Sequence, residues 1–143
     1  MATQAGFARE SALKRPRWAV AAALVAVAFG IVTVIVGGKT LLGGPEERAG
    51  HIVLFVLWFN FCAGFAYIVA GIGLLAWKRW AAQLSAIIAL ATVLVFVAFG
   101  VHVLLGGAFE ARTVGAMIIR STIWLVIATS SCRAIGCVRR GLA

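Results

Sequence analysis

Residues 49–109 read AGHIVLFVLWFNFCAGFAYIVAGIGLLAW, then Lys78-Arg79, then WAAQLSAIIALATVLVFVAFGVHVLLGGAF. Lys78 and Arg79 are the only formally charged side chains in that stretch. The hydrocarbon core of a bilayer takes roughly 20 apolar residues of helix. Each half exceeds that length, and a basic turn bounded by Trp77 and Trp80 leaves room only for an antiparallel hairpin. Outward from this hairpin the same pattern recurs once on each side. Trp18 to Gly38 is charge-free between Arg17 and Lys39, and Thr113 to Cys132 carries Arg120 as its single charge. Four spans are therefore expected, at residues 18–38, 49–77, 80–109 and 113–132.

The whole-chain composition agrees. Of 143 residues, 64% are hydrophobic and 12% charged, with a mean hydropathy of +1.09. A soluble domain is about half apolar and a quarter charged, and disorder requires low hydrophobicity, so both classes are excluded. The net charge is +9. It is parcelled out at the ends of apolar runs, as in a protein that orients itself in a membrane, so no nucleic-acid partner is expected.

Arg9, Lys14, Arg15, Arg17, Lys78, Arg79, Arg133, Arg139 and Arg140 flank one side of the four runs. Only Lys39, Arg48 and Arg112 flank the other, offset by Glu46, Glu47 and Glu110. By the positive-inside rule both termini are cytoplasmic. The first run is longer than the roughly 7–15 residues of a signal-peptide core, so it reads as a retained span. The expectation is all-α: one integral-membrane domain over residues 1–143, an up-down four-helix bundle with a basic cytoplasmic segment at 1–17. The doublets Gly37-Gly38, Gly43-Gly44 and Gly106-Gly107 read as turns or helix ends. Cys62 reads as a small packing residue. Cys132 and Cys137 fall on the reducing side, where free thiols are expected.

The short loops leave no room for a soluble catalytic domain, so function must reside in the bundle or at its rim. Arg120 stands near the middle of span four, where a charge costs about 2.5–3.5 kcal/mol and normally faces the interior with a partner. It suits an anion or carbonyl site for a quinone oxygen, a haem propionate or a carboxylate. It equally suits hydrogen bonds to helix carbonyls, to Asn60 or to a neighbouring subunit. Asn60, Gly64, Tyr67 and Gly71 share one face of span two. Thr113, Met117, Arg120, Trp124 and Ser131 share a face of span four. A ligand pocket of Asn60, Tyr67, Arg120 and Trp124 is one candidate site, and interhelical packing explains the same residues.

His51 and His102 form a second candidate. They lie at similar distances on either side of the turn at residue 78, so their depths differ by only about 4.5 Å at 1.5 Å per residue. Facing imidazoles are the ligand set of a bis-histidine haem b or a shared metal ion. Histidines at a membrane interface would look the same. No Walker, HExxH, GxSxG or CxxCH motif occurs.

The run Gly64-Phe65-Ala66-Tyr67-Ile68-Val69-Ala70-Gly71-Ile72-Gly73-Leu74-Leu75, followed by Lys78-Arg79-Trp80-Ala81-Ala82, resembles the second-span pattern of DoxX-like proteins. Gly37-Gly38-Lys39 is similar to that family's small-residue-plus-lysine motif. The resemblance implies a small four-span protein of the bacterial inner membrane, in some members linked to quinone-dependent sulfur oxidation. The glutamate which that family carries early in its second span is replaced here by His51 and Asn60 as the polar positions. The functional expectation is an auxiliary redox or electron-transfer component that binds haem or quinone near the outer side. Its partners are then the lipid bilayer and a membrane complex or further copies of itself. A small oligomeric transporter or pore, and a ligand-free scaffold subunit, are the alternatives.

Overall fold

The computed structural model describes residues 16–43 and 52–137. Within them run four helices: α1 (Arg17–Leu42), α2 (Leu54–Leu75), α3 (Arg79–Leu104) and α4 (Ala111–Ser131). A single π-helical turn, Cys132–Gly136, continues α4. All four are long and apolar enough to cross a membrane.

Small residues decide how α1 packs. Its buried positions are Ala19, Ala23, Ala26, Gly30, Thr33 and Gly37, a run of alternating four- and three-residue steps. That is the 3.5-residue period of a coiled-coil seam, written in side-chain size. Where surrounding groups are all apolar, small residues let two backbones approach closely and so gain dispersion contacts. The approach is close here. A Cβ built on Gly30 would lie 2.8 Å from the Gly64 carbonyl oxygen, and one on Gly71 would lie 2.9 Å from the Ala23 carbonyl oxygen. Gly64 and Gly71 thus face α1, while their neighbour Tyr67 also reaches α4, its ring tilted against Trp124 at 4.6 Å.

The ends differ from the sequence expectation in instructive ways. Gly37-Gly38 does not end α1. The helix runs on to Leu42, because Gly37 sits against the Phe61 side chain and is a contact, not a stop. Gly106-Gly107 does end α3, five residues before Phe109. Gly107 N–H donates to the His102 carbonyl at 3.0 Å, and Phe109 folds back edge-on to Phe99. The turn after α2 uses the same capping pattern, with Lys78 N–H donating to the Gly73 carbonyl and Trp77 N–H to the Leu74 carbonyl. Trp77 occupies the left-handed position at φ 55°, which costs an L-residue roughly 1–2 kcal/mol. Its indole meets Trp18 edge-on at 6.4 Å.

Trp18, Leu74, Trp77, Ser131 and Ile135 line one narrow crevice. The start of α1 and the ends of α2 and α4 therefore lie at the same end of the molecule, as an up-down-up-down course requires. At this terminal end the core draws on all four helices, through Ala23, Ala26, Tyr67, Leu74, Ile88, Trp124 and Ile127 among others. At the far end the core is Val53, Val56, Phe99 and Met117, with no contribution from α1.

Two cysteine expectations fail. Cys62 is exposed on the outer surface of α2, because the inward face there is taken by closer packing. Cys132 and Cys137 are bonded to each other instead of free. Five residues of regular α-helix rise about 7.5 Å, beyond disulfide reach. Here Gly136 at φ 84° folds the chain back and brings the two Cα atoms to 4.7 Å.

Gly71→Val forces new atoms against the α1 backbone and is expected to cost about 1–3 kcal/mol. Gly100→Ala and Gly115→Ala meet open space within helices and should leave stability unchanged or raise it by up to about 1 kcal/mol. Unfolding titrations in mixed detergent micelles, followed by circular dichroism, would show whether the three variants separate in this way.

Candidate functional site

Near the middle of the bundle each helix contributes one residue to a shared layer: Phe29 from α1, Tyr67 from α2, Thr92 from α3 and Arg120 from α4, with Trp124 one turn further on. Tyr67, Thr92 and Trp124 are fully buried, and Arg120 is only 7% exposed. The guanidinium carbon of Arg120 lies 5.6 Å from the centre of the Phe29 ring and 5.9 Å from that of Tyr67. Phe29 stacks on Tyr67 at 5.9 Å. Two aromatic faces therefore partly compensate the charge, an attraction worth about 2 kcal/mol when desolvated.

What they do not supply is hydrogen bonds. Nε and Nη1 of Arg120 are buried without a hydrogen-bond partner. The same holds for Asn60 Oδ1, Ser121 Oγ and Trp124 Nε1, while the buried hydroxyls of Tyr67 and Thr92 lie beside each other. Buried polar atoms are nearly always satisfied, and each exception calls for an explanation. No aspartate or glutamate occurs within any of the four helices. Glu110, which precedes α4, is ten residues from Arg120, or about 15 Å along the axis.

Arg120 also forms part of a cleft of about 340 Å³ lined by Phe29, Val32, Thr33, Val36, Gly37, Leu57, Asn60, Ala116, Ile119 and Arg120. The cleft exists because α1 leaves the core at the far end. Gly30 and Gly37 hold α1 against α2, so nothing fills the space between α1 and α4 beyond Phe29. Its polar groups, Arg120, Asn60 and Thr33, come from three different helices. The rest of the lining is apolar, and Val32, Val36 and Ile119 are each more than half exposed on the outer surface. The opening is therefore sideways, between α1 and α4.

The sequence-based set divides in two. Asn60 and Arg120 line the cleft together. Tyr67 and Trp124 lie behind Arg120 in the packed layer and outside the cleft lining. Met117, Trp124 and Ser131 are buried on the α4 face expected of them, whereas Thr113 is only half-buried. His102 is half-buried at the end of α3, with its imidazole edge-on to Phe55 at 6.3 Å and packed over Gly107. His51, Glu46 and Glu47 lie outside the described residues, so the histidine pair is not joined here. No cluster of three histidine, cysteine or acidic residues suited to a metal occurs among the described residues.

Phe29, Thr33 and Thr92 were not singled out from the sequence. The signal for Thr33 was present: it is the one polar residue on the small-residue seam of α1. No family model, curated protein or solved structure matches the chain.

Tyr67→Phe removes a buried hydroxyl whose neighbour is the Thr92 hydroxyl and keeps both ring contacts. It should leave stability unchanged or raise it by about 1 kcal/mol, whereas Trp124→Ala should cost about 3–5 kcal/mol through the cavity it leaves. The same unfolding titration reads both. A loss above about 1 kcal/mol for Tyr67→Phe would mean that its hydroxyl is firmly bonded to that of Thr92.

Proposed function

We propose that this chain is a multi-pass protein of the bacterial inner membrane, with both termini cytoplasmic, that holds a lipid-soluble, oxygen-bearing ligand beside Arg120. The observation that carries the reading is the buried guanidinium with two unpartnered nitrogens at the wall of a cleft of about 340 Å³. That volume falls at the lower end of the roughly 300–1,000 Å³ usual for ligand sites, and its mostly apolar lining with few polar groups is of the usual kind. An arginine kept at this depth only for packing would be expected to bond helix carbonyls, which Nε and Nη1 do not.

A quinone head fits this chemistry, since its carbonyl oxygens accept hydrogen bonds and its ring suits the Phe29 side of the cleft. Occupancy by a quinone would make the chain an auxiliary redox or electron-transfer component, in line with the resemblance to DoxX-like proteins. The sideways opening favours exchange of a ligand with the bilayer over a continuous axial pore. A haem bound by His51 and His102 rests on sequence spacing alone. His102, packed against Phe55 and Gly107, would have to leave both to serve as an axial ligand.

Cytoplasmic termini rest on nine basic residues against three in the flanks. The cysteine bond then lies in a reducing compartment, where such bonds are rare and typically transient or redox-sensing.

Purified in mild detergent and extracted with organic solvent, the wild type should release about one lipid-soluble, oxygen-bearing molecule per chain, and Arg120→Leu should release none. Equal yields from both would defeat the reading. Absorption spectra of the air-oxidised and dithionite-reduced protein test the haem alternative, since a Soret band that shifts on reduction would move the ligand to His51 and His102. For orientation, a fluorescent protein fused after Ala143 should fluoresce and an alkaline phosphatase at the same position should stay inactive. The opposite pattern would reverse the topology.

A further inference from the structure

We infer that the ligand of the Arg120 cleft is a long-chain carboxylate, whose head pairs with the guanidinium and whose hydrocarbon chain leaves between α1 and α4. This rests on the reading of the cleft as a ligand site and goes further by fixing the charge and shape of the occupant.

The charge follows from what surrounds Arg120. Guanidinium stays protonated in proteins, so a full positive charge sits in the middle of the bundle. The rings of Phe29 and Tyr67 face it, Thr33 and Asn60 line the same cleft, and no acidic residue lies within the four helices. Glu110 is about 15 Å away along α4. A neutral carbonyl would satisfy a donor and leave the charge uncompensated. A carboxylate does both, and the planar fork of arginine matches its two oxygens. Asn60 and Thr33 stand on the other walls of the cleft with further polar groups for the same head.

Depth argues for a carboxylate over a phospholipid headgroup. Arg120 lies near the midpoint of α4 (Ala111–Ser131). A headgroup phosphate would have to descend through about half of a hydrocarbon core roughly 30 Å thick. A carboxylic acid can make that descent in its neutral form and ionise beside the guanidinium, which a phosphodiester cannot, and it has no glycerol or second chain to draw in with it. The shape follows from the mouth. Val32 and Val36 on α1 are 57% and 58% exposed, and Ile119 on α4 is 57% exposed. They form an apolar edge that continues from the cleft onto the outer surface. The enclosed volume holds a head and a short length of chain, so the remainder must run out along these residues.

The test uses full-length protein in phosphatidylcholine nanodiscs at alkaline pH, where the added acid is ionised. Native mass spectrometry and thermal melting are read with oleate, methyl oleate, a short-chain ubiquinone and phosphatidylglycerol. Oleate should bind once per chain, at least about tenfold more tightly than its methyl ester, in keeping with the greater strength of charge-assisted hydrogen bonds. Arg120→Leu should abolish the difference between the two. Ile119→Trp, which narrows the mouth without touching the charge, should weaken oleate binding. Equal binding of oleate and its ester, or tighter Arg120-dependent binding of the ubiquinone, would overturn the carboxylate and leave the cleft a ligand site. Preference for phosphatidylglycerol would overturn it in favour of a headgroup. If no compound binds in a way that depends on Arg120 or Ile119, both the carboxylate and the ligand-site reading fail. Should Arg120→Leu not fold, the wild-type comparison of acid with ester and the Ile119→Trp variant decide the matter.

Discussion

The backbones of α1 and α2 can approach as closely as they do because Gly30 meets Gly64 and Ala23 meets Gly71. This contact governs the remaining geometry. Between helices whose outer surfaces are apolar all round, burying one more leucine gains little over leaving it in a hydrocarbon environment, so association depends on packing and polar contacts. Small residues at 4-3-4 spacing provide the packing. They hold α1 to α2 along nearly its full length, including the last turns, where Gly37 lies on Phe61. With α1 held there, it cannot also close against α4 at the far end. The cleft is thus a consequence of where α1 is bound, and the same contact that stabilises the pair keeps the cleft open.

Arg120 has the complementary role on α4. A guanidinium near the middle of an apolar helix has one tolerable direction, inward, and it sets the rotation of α4 by exclusion. Once inward, it meets Phe29 and Tyr67, which offer ring faces and no acceptors at the guanidinium nitrogens. The result is a charge whose orientation is fixed and whose hydrogen-bonding capacity is unused, facing a space open to one side. A fixed donor set of this kind binds an acceptor without having to reorganise, and preorganisation is what converts contact into affinity. The adjacent hydroxyls of Tyr67 and Thr92 and the unbonded Trp124 N–H stand behind it in the packed layer. They keep the surroundings of Arg120 polar without supplying a counter-ion.

Much of this was legible in the sequence. The helix count and order follow from the apolar runs. Helical spacing brings Asn60 and Arg120 to one site only on the condition that Arg120 turns inward, and both line the cleft. Less legible was anything that depends on size in place of polarity. Gly37-Gly38 was read as a stop because glycine usually punctuates, yet here it packs on Phe61 inside α1. Gly64 and Gly71 share a face with Tyr67, but at the junction of three helices a single face serves two neighbours: the glycines contact α1 alone, and the tyrosine lies between Phe29 of α1 and Trp124 of α4. Spacing alone does not divide them. The cysteines read as free thiols from their place on the cytoplasmic side, and nothing in their spacing announces the chain reversal at Gly136 that brings them together.

The buried positions of α1, α2 and α4 explain why amphipathicity is a poor guide to such a chain. On α4 the inward set includes Met117, Arg120, Trp124, Ile127 and Ser131, at steps of three and four. It is no more apolar than the outward set, which includes Ile118, Ile119, Leu125 and Val126. On α1 the inward set is alanine, glycine and threonine, while leucine, isoleucine and valine point out. A soluble bundle places its large apolar residues inside because water surrounds it. On α1 the rule is reversed, and small or polar residues turn inward because they gain most from a neighbouring helix, while α2, α3 and α4 still bury Tyr67, Phe99, Met117 and Trp124. The heptad period survives, but it must be read in volume and polarity. Read that way, Thr33 and Arg120 stand out together, as polar residues on two seams which the structure holds apart across one cleft.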